Sequence, residues 1–208
     1  MARTAEEEEK RKKILEGSRA LILREGMSSL TMGEIASRQG ISKKTLYKYF
    51  SNKEQLVEET IEGKIAEIGA LIEAASRDAG KSFPERLGTI LGIVARQLAE
   101  LGETIVKDVY YREPQLWEKI DKFRREHIFT AITRLFEEGI RDGWVRTDIE
   151  SRLVPAMFVG AANAILNPSQ IFAMTAPPVV IFDTLIRILL GGILTEQGRQ
   201  QLFKEAKE

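Results

Sequence analysis

The chain has 208 residues, 43% hydrophobic and 30% charged, with no cysteine and a single histidine, His127. That composition describes a globular chain of one or two domains. It leaves disulfides, thiol redox chemistry, thiolate metal sites and His-rich metal sites without the residues to build them. Neither a metal nor a cofactor is expected. Residues 1–13 are charged throughout and no apolar segment follows, so no secretory signal is expected. The longest apolar stretch, Leu153 to Leu166, is 14 residues and contains Asn163. A spanning helix needs about 20 residues, so a buried helix, a cytoplasmic location and no membrane partner are the expectations.

A net charge of zero conceals a segregation along the chain. Residues 1–9 set Arg3 against Glu6, Glu7, Glu8 and Glu9, a net −3. Residues 10–53 hold eleven Lys/Arg against Glu16, Glu25 and Glu34, a net +8, and the remaining 155 residues sum to −5. A basic N-terminal module on an acidic body is the footprint of a polyanion binder. Charge alone also fits solvated lysines on a surface helix.

Apolar periodicity is helical throughout, and no stretch alternates with period two. Lys10 to Glu25 lines up Ile14, Leu15, Ser18, Leu21 and Ile22, and Gly26 ends the helix. Thr31 with Glu34 forms a capping box, and Leu30 with Ile35 a hydrophobic staple. Gly40 stops that second helix. Ser42 caps a third, with Ile41 and Leu46 as its staple, and Ser51 with Glu54 opens a fourth that runs to Ala75. Helices follow around Leu87–Leu101, Thr104–Tyr111, Pro114–Arg141, Ile149–Leu166 and Val179–Leu194. The expectation is an all-α fold of about nine helices, with a helix-turn-helix domain over 1–52 and a helical body over 53–208.

Residues 31–50 meet the physical requirements of a helix-turn-helix. Ala36 is small where two short helices cross, and Gly40 supplies positive φ in the turn. Leu46 plugs the space between the helices together with Ile35, Ile41 and Phe50, which leaves Lys43, Lys44, Tyr47 and Lys48 on the outer face. Lysines interleaved with a tyrosine on such a face suit a major groove. The competing reading is an ordinary helical hairpin with a basic solvent face.

Thr31-Met-Gly-Glu-Ile-Ala36, Gly40-Ile-Ser42, Thr45-Leu-Tyr-Lys-Tyr-Phe50 and Ser51-Asn-Lys-Glu-Gln-Leu56 resemble the DNA-binding domain of the TetR (tetracycline-repressor) family of bacterial transcription regulators. The resemblance covers residues 10–60, about a quarter of the chain. It implies that Thr31, Tyr47, Tyr49 and Lys53 meet phosphates and that Lys43, Lys44 and Thr45 read base edges. Ser42 and Lys48 complete the expected DNA-binding set. Lys44 stands where many relatives have glycine or alanine; it either donates to guanine or reaches a phosphate.

The body has no comparable motif. Helix 149–166 is apolar on nearly every side, and Gly160, Ala161 and Ala164 permit close helix approach. The resemblance implies a homodimer through the last two long helices, with Val159, Ala161, Ala164, Ile181, Leu185 and Ile188 at the seam; the alternative is a fully internal helix pair. Tyr110, Trp117, Phe123, His127, Met157, Phe158 and Asn163 are candidates to enclose a small apolar or aromatic effector, with Arg96 as a possible anchor for an anionic one. Taken singly, each of these is better explained by core packing, and Arg96 by solvent exposure. The expected function is a repressor released from a palindromic operator by an effector. The alternative is a DNA-bound protein of the same fold whose body binds another protein. No nucleophile–base pair, metal-ligand cluster or phosphate loop argues for an enzyme.

Overall fold

The computed structural model describes residues 4–100, 103–150, 153–165, 167, 169, 173 and 176–205. The regular elements are helices: α1 (Ala5–Glu25), α2 (Met32–Arg38), α3 (Lys43–Tyr49), α4 (Lys53–Ser76), α5 (Phe83–Glu100), α6 (Glu103–Arg112), α7 (Pro114–Phe123), a π turn (Arg124–Ile128), α8 (Phe129–Arg141), α9 (Leu153–Ile165), α10 (Pro178–Ile193) and α11 (Glu196–Glu205). One isolated antiparallel bridge, Val145 to Leu194, is the extended pairing found among the described residues. None of the described helices is long and apolar enough to cross a membrane.

Several boundaries differ from the expectation, each for a local reason. Helix α1 begins at Ala5, ahead of Lys10, because Thr4 and Glu7 form a reciprocal capping box. The cap of α4 is Asn52, whose Oδ1 accepts from Gln55 N (2.8 Å), and Ser51 donates to the Gln55 side chain; Glu54 plays no part in it. Helix α9 starts at Leu153, which puts Pro155 in the first turn, where a missing N–H leaves no bond unmade. Leu101 and Leu166, expected as helix ends, lie outside the described residues. The unexpected α11 is strongly polar; Leu202 is its buried anchor, and Gly198 N donates to the Thr195 hydroxyl at its start.

Two compact units are formed, Met1–Ala66 with Glu100–Ile120, and Glu67–Ala99 with Asp121–Glu208. The first therefore takes in residues of α4, α6 and α7 in addition to the helix-turn-helix. Its core joins Ile14, Ile22, Leu30, Ile35, Leu46, Phe50 and Leu56 to Ile105, Val109 and Leu116. Inside it a carboxylate holds the α1–α2 turn to α6. Asp108, only 5% exposed, accepts from Ser28 N (2.9 Å) and from the Ser28 hydroxyl (2.8 Å), and Arg112 Nε lies 3.5 Å from it. Gly26, at φ 82°, keeps that turn free of a Cβ that would collide with Thr104 and Asp108.

The second unit is built on Phe83, Leu87, Ile90, Ile132, Leu135, Phe136, Phe158, Phe182 and Leu190. Phe83 meets Phe136 edge to face at 5.6 Å, and α9 packs against α8 and α10. The π turn breaks the expected stripe on the helix from Pro114. The stripe is interrupted only there: His127 is exposed and Ile128 half-buried, while the expected Ala131 and Leu135 are buried, together with Ile132, Phe136 and Gly139.

The Asp108 clasp yields the first testable expectation. Asp108→Ala removes the acceptor of two Ser28 hydrogen bonds and should lower unfolding stability by about 2 kcal/mol in urea titrations. Ser28→Ala deletes only the hydroxyl and should cost clearly less. Equal losses would show that the backbone bond contributes nothing.

Candidate nucleic-acid interface

Both helices of the motif are set by their caps. The Thr31 hydroxyl accepts from Glu34 N (3.2 Å), and Glu34 Oε2 accepts from Thr31 N (2.8 Å) and from the Thr31 hydroxyl (2.7 Å). These bonds, the hydroxyl first, hold the Glu34 carboxyl below its ordinary pKa. Gly40 takes φ 65°, and Ile41 N donates back to Ala36 O (3.0 Å), closing the turn. The Ser42 hydroxyl then accepts from Thr45 N (3.0 Å) to start α3.

Helix α3 has the two faces expected. Leu46 and Phe50 are fully buried, and Ile35 and Ala36 are buried on α2. Lys43, Lys44, Tyr47 and Lys48 are all exposed, Tyr47 at 51%. Among the described residues Lys43 and Lys44 have no ion-pair partner, whereas Lys48 is bonded to Glu7. Thr31 and Ser42 are also exposed; Thr45 is half-buried with its hydroxyl 2.9 Å from that of Ser42.

Two residues expected to touch phosphates are otherwise engaged. The ring of Tyr49 belongs to the core and is 6% exposed, because it follows Leu46 and precedes Phe50 on the inner side. Lys53 is half-buried; its ammonium donates to the carbonyls of Met27 (3.1 Å) and Leu30 (3.2 Å), which the turn after α1 leaves without helical partners. Conversely, Arg11 escaped the sequence reading. It pairs with Glu59 and lies 5.0 Å from the centroid of the Phe50 ring, tying α1 to the end of α3 and to α4. Its place one turn before Ile14 on the inner stripe of α1 was the available signal.

The candidate effector residues divide between the units. In the first, Tyr110 and Trp117 meet edge to face at 5.3 Å against the core. In the second, Phe123 and His127 stack at 4.2 Å, and His127 Nδ1 donates to the Phe123 carbonyl (3.3 Å). Phe158 is a core residue 5.6 Å from Phe136, Asn163 is half-buried, and Arg96 and Met157 are exposed. Of the expected seam, Ala164 and Ile188 are exposed, Ala161 and Leu185 are half-buried, and Val159 and Ile181 turn into their own core.

Residues 14–60 match the model of the bacterial regulatory proteins of the tetR family. That match spans the helix-turn-helix and its flanking helices, so this part of the chain is a DNA-binding domain of the tetR type. An HTH-type transcriptional regulator of Bacillus subtilis (strain 168), YvaF, is 25% identical over 186 residues, covering 89% of this chain and 96% of that protein. The fatty acid degradation regulator FadR of Bacillus halodurans shares the fold with a TM-score of 0.61 at 18% identity, over 91% of this chain and 97% of its own. FadR of Bacillus subtilis, solved in complex with stearoyl-CoA, has a TM-score of 0.59 at 18% identity, over 87% and 98%. These likenesses extend the fold, though not the family match, over about nine-tenths of the chain.

The Thr31–Glu34 box makes stability depend on pH in a defined direction. The folded carboxyl has a lower pKa than the unfolded one, so its contribution is present above the ordinary carboxylate range and is lost as pH falls through the folded value. Thr31→Val should lower the urea midpoint at neutral pH, and its difference from wild type should narrow in acid. A constant difference across that range would show that the carboxylate adds nothing to the cap.

Proposed function

We propose that this chain is a homodimeric repressor that reads a palindromic operator through α3 and is released by a small-molecule effector. One observation carries the DNA reading. The outer face of α3 presents Lys43, Lys44, Tyr47 and Lys48 to solvent, while every inner residue is committed to the core. Lys44, exposed in the first turn of α3, is placed to read a base edge; a phosphate contact is the competing role.

Two heads are needed because a single helix-turn-helix buries little surface, and half-sites about 34–36 Å apart mirror a two-fold protein. The dimer reading is supported by two solvent-facing stripes of small and apolar residues. Leu153, Met157, Gly160 and Ala164 are exposed on α9, and Val180, Thr184, Ile188 and Gly192 on α10. Large apolar surface left open on a helix pair marks an interaction site. On this reading Met157 belongs to the seam and not to an effector site. The likeness in fold to a regulator solved with stearoyl-CoA makes long-chain acyl thioesters the first effector class to try. The packed positions of Trp117 and Phe158 favour a second reading, in which the body answers to a protein partner.

With an operator selected from random duplexes, Lys44→Ala should cost about 1–3 kcal/mol per half-site on that operator and much less on scrambled DNA. A uniform loss on both duplexes makes Lys44 a phosphate contact. Ile188→Glu, at a side chain 70% exposed, should leave helicity intact and give a monomer by sedimentation with operator binding lost. A dimer that survives both this change and Met157→Glu would sink the α9–α10 seam.

A further inference from the structure

The acidic run at the start of the chain is unexplained by the reading above. Glu6, Glu7 and Glu8 lie in the first turn of α1, where carboxylates oppose the helix dipole. That general role needs none of them to point anywhere in particular. Glu7 is different, because it continues the inner stripe of α1 through Arg11, Ile14 and Ser18 at helical spacing. One of its oxygens, Oε2, accepts from Thr4 N (3.3 Å) in the capping box. The other, Oε1, accepts from Lys48 Nζ at 2.7 Å. Lys48 belongs to the outer face of α3, beside Tyr47 and Lys44, with 61% of its side chain exposed. The bond to Glu7 raises its pKa, so the ammonium is fully charged and already has a counter-ion. Arg11, through Glu59 and Phe50, holds α1 at the position that makes this contact.

We propose that Glu7 is a built-in competitor for DNA phosphate at Lys48, which attenuates sequence-independent DNA binding by the recognition helix. The inference rests on the DNA-binding reading. A phosphate that takes Lys48 must first displace a carboxylate of the same charge and similar geometry. Phosphate contacts carry no sequence information, so the attenuation acts on DNA of any sequence and limits the time spent on the many non-operator sites. Exposed ion pairs are weak, so the effect is graded: about two- to five-fold in affinity per head, compounded in a two-headed protein.

The test uses the full-length protein and a fluorescent duplex of scrambled sequence at low salt. Glu7→Gln keeps the capping box, since glutamine serves at that position, but gives up the charge. It should tighten binding by the stated factor. Lys48→Met keeps the apolar stem and removes the ammonium. In that background Glu7→Gln should have no effect, because the two residues act as one pair in a double-mutant cycle. A tightening that persists in Lys48→Met shows that Glu7 acts only as a background charge and overturns the inference. So does wild-type binding left unchanged by Glu7→Gln. Failure of wild type and Glu7→Gln alike to bind any duplex overturns the DNA-binding reading itself, and this inference with it.

Discussion

A helix of seven residues has no stability of its own in water, and both α2 and α3 are of that length. Their existence depends on what α3 buries. Leu46 and Phe50 are wholly enclosed by Ile35, Ala36 and the inner residues of α1 and α4. Each such side chain contributes about 1.5–3 kcal/mol on leaving water. The caps at Thr31 and Ser42 then satisfy amide groups that so short a helix cannot spare. Because the inner face supplies the stability, the outer face carries no structural duty. Lysines and a tyrosine can occupy it without cost to the fold.

This division explains what the sequence revealed. The capping residues, the staple at Leu30 and Ile35, the positive-φ glycine and the two-faced α3 are relations between residues a few positions apart, and each was legible. The Thr4–Glu7 box was equally local; it was hidden because α1 opens on charged residues with no apolar period beneath them. Contacts across long separations were not legible. Nothing near Asp108 announces that its carboxylate receives Ser28 from 80 residues away. Lys53 illustrates the same limit from the other side. A lysine at a helix start after a basic motif suggests a phosphate; that its ammonium also donates to the carbonyls of Met27 and Leu30 was not announced by the sequence.

Periodicity arguments fail where the helix itself changes pitch. From Leu116 the pattern runs through Ile120 and Phe123, and a regular α-helix would bring His127 next to the core. The π turn at Arg124–Ile128 inserts a residue, and Ile128 takes the inward place. His127 is left stacked on Phe123 in the open, a local departure from a stripe whose other members Leu116, Ala131 and Leu135 are buried. No local signal in Arg-Arg-Glu-His-Ile distinguishes the wider turn from an α-helical one.

The sequence marks α9 as apolar nearly all round, which does not say which side belongs to its own unit. Packing resolves it: Val154, Pro155, Phe158 and Val159 face the core, and Leu153, Ala156, Met157, Gly160 and Ala164 face outward. Its two large residues, Leu153 and Met157, lie toward the N-terminus, and Gly160 and Ala164 lie toward the C-terminus. A two-fold axis perpendicular to a helix runs that helix antiparallel to its copy. In the homodimer proposed here, an axis crossing α9 would set Leu153 and Met157 of one protomer over Gly160 and Ala164 of its partner. Large against small is the condition for close packing across a symmetric seam. The same gradient in a parallel pairing would set large on large at one end and leave a void at the other.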